Sequence, residues 1–191
     1  MQRILSLNLN HRTRPGAVNP ELVTELVKPE PDVILFNEYV DQGAARELRQ
    51  LLDAAGYSFQ AVSESDEYRP GRWHNQILIA SMRPLRGDSV PQDGPDIMCR
   101  TNTLSVSVGN IRITGLRVPA YERAADWYAY WDWAKKGLEG RWSYRGNNGS
   151  TSRVDHVLVR NGVGVTSAKY TPEPFAPAHT DHAALLVDIE P

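Results

Sequence analysis

The chain is poor in cysteine, has no long apolar run and carries no excess of basic residues. Its single cysteine, Cys99, cannot form a disulfide within the chain. Residues 1–4 lead directly into a strand pattern, without the apolar segment of a signal peptide, and no stretch approaches the length of a membrane span. We therefore expect a cytoplasmic protein with no membrane association.

The charge balance excludes a protein that simply coats nucleic acid. Lys and Arg number 21, Asp and Glu number 23, and the formal net charge is −2. A coating protein would normally be basic, so we expect nucleic acid here as a substrate in a local basic groove. With 191 residues, of which 41% are hydrophobic, the chain fits one domain over 1–191. No obligate protein partner is evident, and the oligomeric state stays open.

Short segments in which apolar residues alternate or run together predict several strands. They cover residues 3–10, 32–37, 57–62, 75–80, 104–108 and 111–116, and the runs that begin at Val154 and Ala183. Gly109 and Asn110 lie between two of these segments and predict a hairpin turn.

Apolar residues at helical spacing predict three helices, over 21–27, 43–55 and 122–136. Asn19 is the expected N-cap of the first helix, and Gly56 is the expected stop of the second. Strands outnumber helices. This favours an α+β fold in which a two-sheet β-sandwich is flanked by α-helices.

Acids and imidazoles occur where several of the apolar runs begin or end. Asp181 and His182 precede the last run, Asp155 precedes another, and Glu38 follows a third. Side chains at such positions can be held rigidly while their heads face a cleft. Three strand ends of this kind suggest one shared site.

The residue types at these ends predict metal-assisted phosphoester chemistry. Oxygen ligands of the type that suits magnesium, manganese or calcium are available from Asn8, Asn10, Glu38 and Asp181. Zinc fits less well, because there is one cysteine and the histidines lack the spacing of a structural zinc site. His182 could act as a general acid or base, or polarise a phosphoryl oxygen, with Asp155 orienting it.

Four segments, in order along nearly the whole chain, resemble the endonuclease/exonuclease/phosphatase superfamily. This group contains DNase I-like nucleases, abasic-site endonucleases, inositol-polyphosphate phosphatases and sphingomyelinases. The segments resemble the family's first strand, its strand ending in a metal-binding glutamate, its Arg-Ile-Asp-Tyr/His segment and its terminal Ser-Asp-His. They are Ile4-Leu5-Ser6-Leu7-Asn8-Leu9-Asn10, Pro31-Asp32-Val33-Ile34-Leu35-Phe36-Asn37-Glu38, Arg153-Val154-Asp155-His156-Val157-Leu158-Val159 and Thr180-Asp181-His182. The family usually has Gln at the position of Asn37. The resemblance implies a shortened DNase I-like sandwich of four layers, α/β/β/α.

The resemblance also implies a metal site for Mg²⁺ or Mn²⁺. Glu38 would bind the ion directly, Asp181 would lie beside it, and Asn8 would support the site. Some relatives have an aspartate at the position of Asn10, which is therefore either a ligand or a turn former.

The remaining implied roles concern the phosphate. His182 would hydrogen-bond Asp155 and act on the scissile group. Arg117 stands where relatives place a histidine or tyrosine that contacts the phosphate. A guanidinium can make that contact through paired hydrogen bonds, but it does not readily donate a proton.

One family segment has no counterpart. The Gly-Asp-Phe/Leu-Asn strand, whose aspartate and asparagine orient the water and the transition state, is absent, as though excised near Gly140. Three hypotheses follow: a metal-dependent phosphodiesterase acting on nucleic acid, a catalytically impaired relative that binds a phosphorylated ligand or partner, and a small-molecule or lipid phosphoesterase.

Overall fold

The protein is described from a computed structural model. The described residues are 1–9, 20–64, 76–87, 103–116, 144–145, 151–152, 164–171, 180 and 182–190. In chain order the strands are β1 (Gln2–Asn8), β2 (Val33–Tyr39), β3 (Phe59–Val62), β4 (Gln76–Ser81), β5 (Leu85–Gly87), β6 (Thr103–Val108), β7 (Ile111–Leu116), β8 (Tyr144–Arg145), β9 (Thr151–Ser152), β10 (Gly164–Tyr170) and β11 (Leu185–Glu190). The helices are α1 (Pro20–Val27) and α2 (Glu47–Ala54), and a 3-10 turn over Gly43–Arg46 leads into α2.

Most strands belong to two sheets. The first sheet has six strands in the order β10-β11-β1-β2-β4-β3, and the second has three in the order β5-β6-β7. Within the first sheet β1 and β2 are parallel, and the other neighbours are antiparallel. A separate two-stranded ribbon joins β8 to β9.

The six-stranded sheet has an apolar core on each face. The helix-side core packs the sheet against α1 and α2 and includes Leu5, Leu7, Leu9, Leu22, Phe36, Tyr39 and Leu48. The inter-sheet core packs it against the second sheet and includes Val33, Leu35, Ile77, Ile79, Val106, Ile113 and Leu185. Alternate residues of β1 and β2 thus face opposite cores, as the two-residue period of a strand requires.

The two sheets pack closely at Gly115 in β7. A Cβ atom at this position would lie 2.7 Å from the Ile77 Cγ2 and 3.1 Å from the Leu35 Cδ1. Glycine therefore allows β7 to pack directly on β2 and β4. Because β7 ends at Leu116, this close contact lies at the end of the strand that leads to Arg117.

The α+β sandwich predicted from the strand pattern is confirmed, with two helices on one face of the large sheet. The second predicted helix is corrected at its start, because residues 43–46 form a 3-10 turn. Gly56 follows α2 with φ +96° and donates its N–H to the Asp53 carbonyl, as a helix stop should. The predicted helix over 122–136 and the predicted strand at Val154 lie outside the described residues.

Candidate active site

The candidate site lies where three strands of the six-stranded sheet meet. β1 and β2 are parallel, with Asn8 opposite Asn37. β11 is antiparallel to β1, with Leu185 opposite Ser6. One edge of the sheet, formed by strand ends and not by an outer strand, therefore contains the carboxyl ends of β1 and β2 and the start of β11. Asn8, Glu38 and His182 lie at this edge.

A buried hydroxyl joins two of these strand ends. Thr180 is fully buried, and its Oγ1 donates a hydrogen bond of 2.6 Å to the Asn8 carbonyl. The same oxygen accepts a bond of 3.1 Å from the His182 backbone N–H. Since both bonds use backbone groups, they fix the chain at Asn8 and at His182. The sequence pattern contained Thr180 but assigned it no role.

His182 is more enclosed than a residue at an open strand entrance. It is 7% exposed, so the rest of the chain covers most of its surface. It lies just before β11, and Ala183 and Ala184 after it belong to the cores on opposite faces of the sheet. Packing on both faces fixes the backbone that presents the imidazole.

Glu38 lies in a bulge near the carboxyl end of β2, which extends to Tyr39 and not only to Asn37 as predicted. Phe36 pairs with Leu78 and Tyr39 with Gln76, so β2 contains one more residue than β4 over this interval. Glu38 has φ +56°, in the left-handed region that a glutamate rarely adopts. Such a conformation costs about 1–3 kcal/mol and is concentrated at functional sites. The bulge also explains how Phe36 and Tyr39, three positions apart, both reach the helix-side core.

Two amides lie beside Glu38 on the side of the sheet that faces the second sheet. Asn8 lies between Leu7 and Leu9, which both face the helix side, and Asn37 follows Leu35 of the inter-sheet core by two residues. The Asn37 Oδ1 is buried and accepts no hydrogen bond from the described part of the chain. A buried acceptor without a donor costs about 1–3 kcal/mol, so this oxygen favours a bound donor or cation.

These groups fit a hard divalent cation in type, although they do not form a complete site. Carboxylate and amide oxygens are the ligands that Mg²⁺ and Mn²⁺ prefer. Across the described ranges, no three acid, histidine or cysteine side chains come together as a metal-binding group. A complete set would need ligands such as Asp181 or Asn10, which lie outside those ranges.

Four of the seven residues predicted for the site lie outside the described residues: Asn10, Arg117, Asp155 and Asp181. The segment around Gly140, where the family strand has no counterpart, also lies outside them. Their roles stay predictions, while Asn8, Glu38 and His182 lie at one sheet edge.

The chain after Glu38 is also held by polar contacts. The Tyr39 hydroxyl donates a bond of 2.8 Å to the Asp41 Oδ1. Burial, together with this acidic partner, raises the pKa of Tyr39 far above its ordinary value, so the phenol remains a hydrogen-bond donor at neutral pH. The Arg49 Nη1 lies 3.3 Å from the Asp41 Oδ2. No pattern in the sequence predicted this cluster of Tyr39, Asp41 and Arg49.

The fold of the chain is similar to that of solved endonuclease/exonuclease/phosphatase and exonuclease structures, and the predicted sandwich class is confirmed. No protein-family profile matches the sequence, and no curated protein sequence matches it. The likeness is therefore one of fold.

Particular solved structures share this fold at low sequence identity. The 3'-5' exonuclease NExo from Neisseria meningitidis is 13% identical, with a TM-score of 0.63, covering 99% of this chain and 100% of that one. An endonuclease/exonuclease/phosphatase from Beutenbergia cavernae is 15% identical, with a TM-score of 0.56, covering 99% and 71%. A humanized D. rerio TDP2 is 12% identical, with a TM-score of 0.57, covering 100% of this chain and 99% of that one.

In the part of the chain that is described, no helix is long and apolar enough to cross a membrane.

Proposed function

We propose that the protein is a Mg²⁺- or Mn²⁺-dependent phosphodiesterase that hydrolyses nucleic acid. The observation that supports this most strongly is the Thr180 hydroxyl, which joins the Asn8 and His182 backbones at the edge that also holds the strained Glu38. A strained acid and a buried imidazole at one sheet edge fit a catalytic site better than a structural one.

Each residue has a distinct role in the proposed site. Glu38 would hold the metal directly, Asp181 and Asn10 would complete its ligands, and Asn8 would support them. When bound, the metal offsets negative charge on the phosphoryl oxygens and the leaving group. The Asn37 Oδ1 would accept a hydrogen bond from a water molecule in this site.

The reaction would be an in-line attack of water on the phosphoester. His182, oriented by Asp155, would stabilise charge at the scissile phosphate in the transition state. Arg117 would contact a phosphate oxygen through paired hydrogen bonds. No described residue is assigned to activate the water, which is the task of the segment that has no counterpart here.

DNA is the first substrate to test. The Neisseria protein has been solved as a 3' phosphatase bound to a product DNA hairpin. We would measure Mg²⁺-dependent release of phosphate from a 3'-phosphorylated hairpin, and cleavage of abasic-site DNA, by wild type, Glu38→Ala and His182→Ala. Loss of the imidazole should lower the rate by roughly 10²–10⁴-fold.

A matched control is Glu47→Ala, which removes an exposed acid from the first turn of α2. Its rate should equal that of wild type. Equal rates in wild type, Glu38→Ala and His182→Ala would reject the site.

A second candidate function is a binding protein with little or no turnover. The observation that favours it is the absent Gly-Asp-Phe/Leu-Asn strand, together with Arg117 at the phosphate-contacting position. Calorimetry with Mn²⁺ and a DNA hairpin would then show binding, while DNA, RNA, inositol phosphates and phospholipids would not be hydrolysed. Turnover of any of these would count against the binding role, and its identity would separate a nuclease from a small-molecule or lipid phosphoesterase.

A further inference from the structure

The left-handed conformation of Glu38 must be imposed from outside the residue. A glutamate gains nothing locally from φ +56°, so its neighbours must hold it there. On the upstream side, the Leu9 N–H donates a bond of 3.0 Å to the Asn37 carbonyl, one residue beyond the last β1–β2 pair, Asn8 with Asn37. On the downstream side, Tyr39 resumes the pairing with β4 opposite Gln76, and side-chain contacts after the bulge add a further anchor.

Tyr39 and Asp41 provide the downstream anchor. The Tyr39 side chain is fully buried in the helix-side core, directly after the bulge. Its hydroxyl donates to the Asp41 Oδ1 at 2.8 Å, which closes the chain over two residues. This bond sets the direction in which the chain leaves Glu38.

Asp41 is held in turn from β4 and from α2. Its backbone N–H donates a bond of 3.2 Å to the Gln76 Oε1. The Gln76 side-chain amide is buried, and it donates a bond of 2.7 Å to the Ser63 carbonyl. From α2, the Arg49 Nη1 lies 3.4 Å from the Asp41 Oδ1 and 3.3 Å from the Oδ2. Asp41 is thus bonded by groups from β2, β4 and α2, whereas an ordinary surface ion pair joins only two side chains.

We propose that Asp41 is a positioning residue that holds Glu38 in its metal-binding conformation. The proposal rests on the proposed function, because it takes Glu38 as a metal ligand. Asp41 is not proposed as a metal ligand, because its carboxylate bonds the Tyr39 hydroxyl and the Arg49 guanidinium. It fixes the bulge whose backbone orients the Glu38 carboxylate.

The test is the affinity for Mn²⁺, measured by calorimetry on the full chain. Loss of a group that orients a metal ligand typically costs 10- to 100-fold in affinity, so Asp41→Ala should bind Mn²⁺ roughly tenfold more weakly. Asp41→Asn keeps an oxygen acceptor for Tyr39 and should recover most of the affinity. Glu25→Ala is the matched control, because it also breaks a surface ion pair, with Lys28, but on the α1 side near the other end of β2. Its affinity should equal that of wild type.

A double-variant measurement separates positioning from general destabilisation. If Asp41 acts through Glu38, Asp41→Ala should have no further effect on Mn²⁺ affinity in a Glu38→Gln background. Should Asp41→Ala fail to fold, Tyr39→Phe keeps the ring in the core and removes only the hydroxyl. It should weaken Mn²⁺ binding in the same direction.

The outcomes distinguish the two proposals. If Glu38→Gln weakens Mn²⁺ binding but Asp41→Ala, or Tyr39→Phe in its place, does not, Asp41 has no positioning role and the proposed metal site stands. If Glu38→Gln binds Mn²⁺ like wild type, the proposed metal site itself is wrong. An Asp41→Ala loss that persists in full in the Glu38→Gln background would also overturn the positioning role.

Discussion

Replacing Thr180 with valine should weaken both the fold and the site, because valine has the shape of threonine without its hydroxyl. In the native chain the Thr180 Oγ1 bonds the Asn8 carbonyl at 2.6 Å and the His182 N–H at 3.1 Å, in a fully buried position. Valine removes this partner from both groups. Each buried group that loses its partner costs about 1–3 kcal/mol, so the two together cost about 2–6 kcal/mol. For a chain of this size, each kcal/mol lost lowers the melting temperature by roughly 2–4 °C.

Urea unfolding followed by circular dichroism would measure this loss, and Thr180→Ser is the matched control. Serine retains the oxygen and loses one methyl group, so it should keep most of the free energy of unfolding. The rate of DNA hydrolysis, measured well below both melting temperatures, should fall for valine and persist for serine. A valine variant as stable and as active as wild type would show that the hydroxyl does not organise the site.

Three further predictions concern the packing, the tyrosines and the buried amide. Gly115→Ala should lower the free energy of unfolding by about 1–3 kcal/mol, because its Cβ would lie 2.7 Å from the Ile77 Cγ2 in a packed core. Gly87→Ala, whose Cβ would meet nothing within 4 Å, is the control in a urea titration. Burial, aided by nearby Asp32, raises the pKa of Tyr57 from 10.0 to about 12, so its contribution to stability is complete below pH 10 and is lost as the pH rises to about 12. Denaturation curves between pH 10 and 12 should show the free energy of unfolding decline, and this decline should be smaller in Tyr57→Phe. Asn37→Leu removes a buried acceptor that has no donor, so it should raise the free energy of unfolding by about 1 kcal/mol. It should also lower the Mn²⁺ affinity measured by calorimetry. A lower free energy of unfolding would contradict the assignment of the Asn37 Oδ1 as an acceptor without a donor.

The strand pattern of the sequence predicted the elements whose two faces differ. Alternation predicted β6 and β7, and the Gly109-Asn110 turn joins them with Val108 opposite Ile111, as expected for a hairpin. Gly109 has φ +61°, which is why glycine is favoured there. In contrast β10 gave no signal, because most of its residues are exposed and it lies at the edge of its sheet. A strand with no buried face has no apolar period to detect.

The candidate site was predictable only in part. Short motifs made Asn8, Glu38 and His182 candidates, and the sheet register brings all three to one edge. The sequence could not predict the bulge at Glu38, because glutamate has no preference for positive φ and the conformation is imposed by tertiary contacts. Nor could it predict the bond from Thr180 to Asn8, which joins residues far apart in the chain.

The most direct test of the central claim is whether a metal bound by Glu38 lies beside His182. Paramagnetic Mn²⁺ broadens the NMR signals of nearby protons, so the imidazole signals of His182 can be followed in wild type and in Glu38→Gln. We predict strong broadening of the His182 signals in wild type at Mn²⁺ concentrations that leave them sharp in Glu38→Gln. His182 signals that stay sharp in wild type, or that broaden equally in both proteins, would contradict the claim.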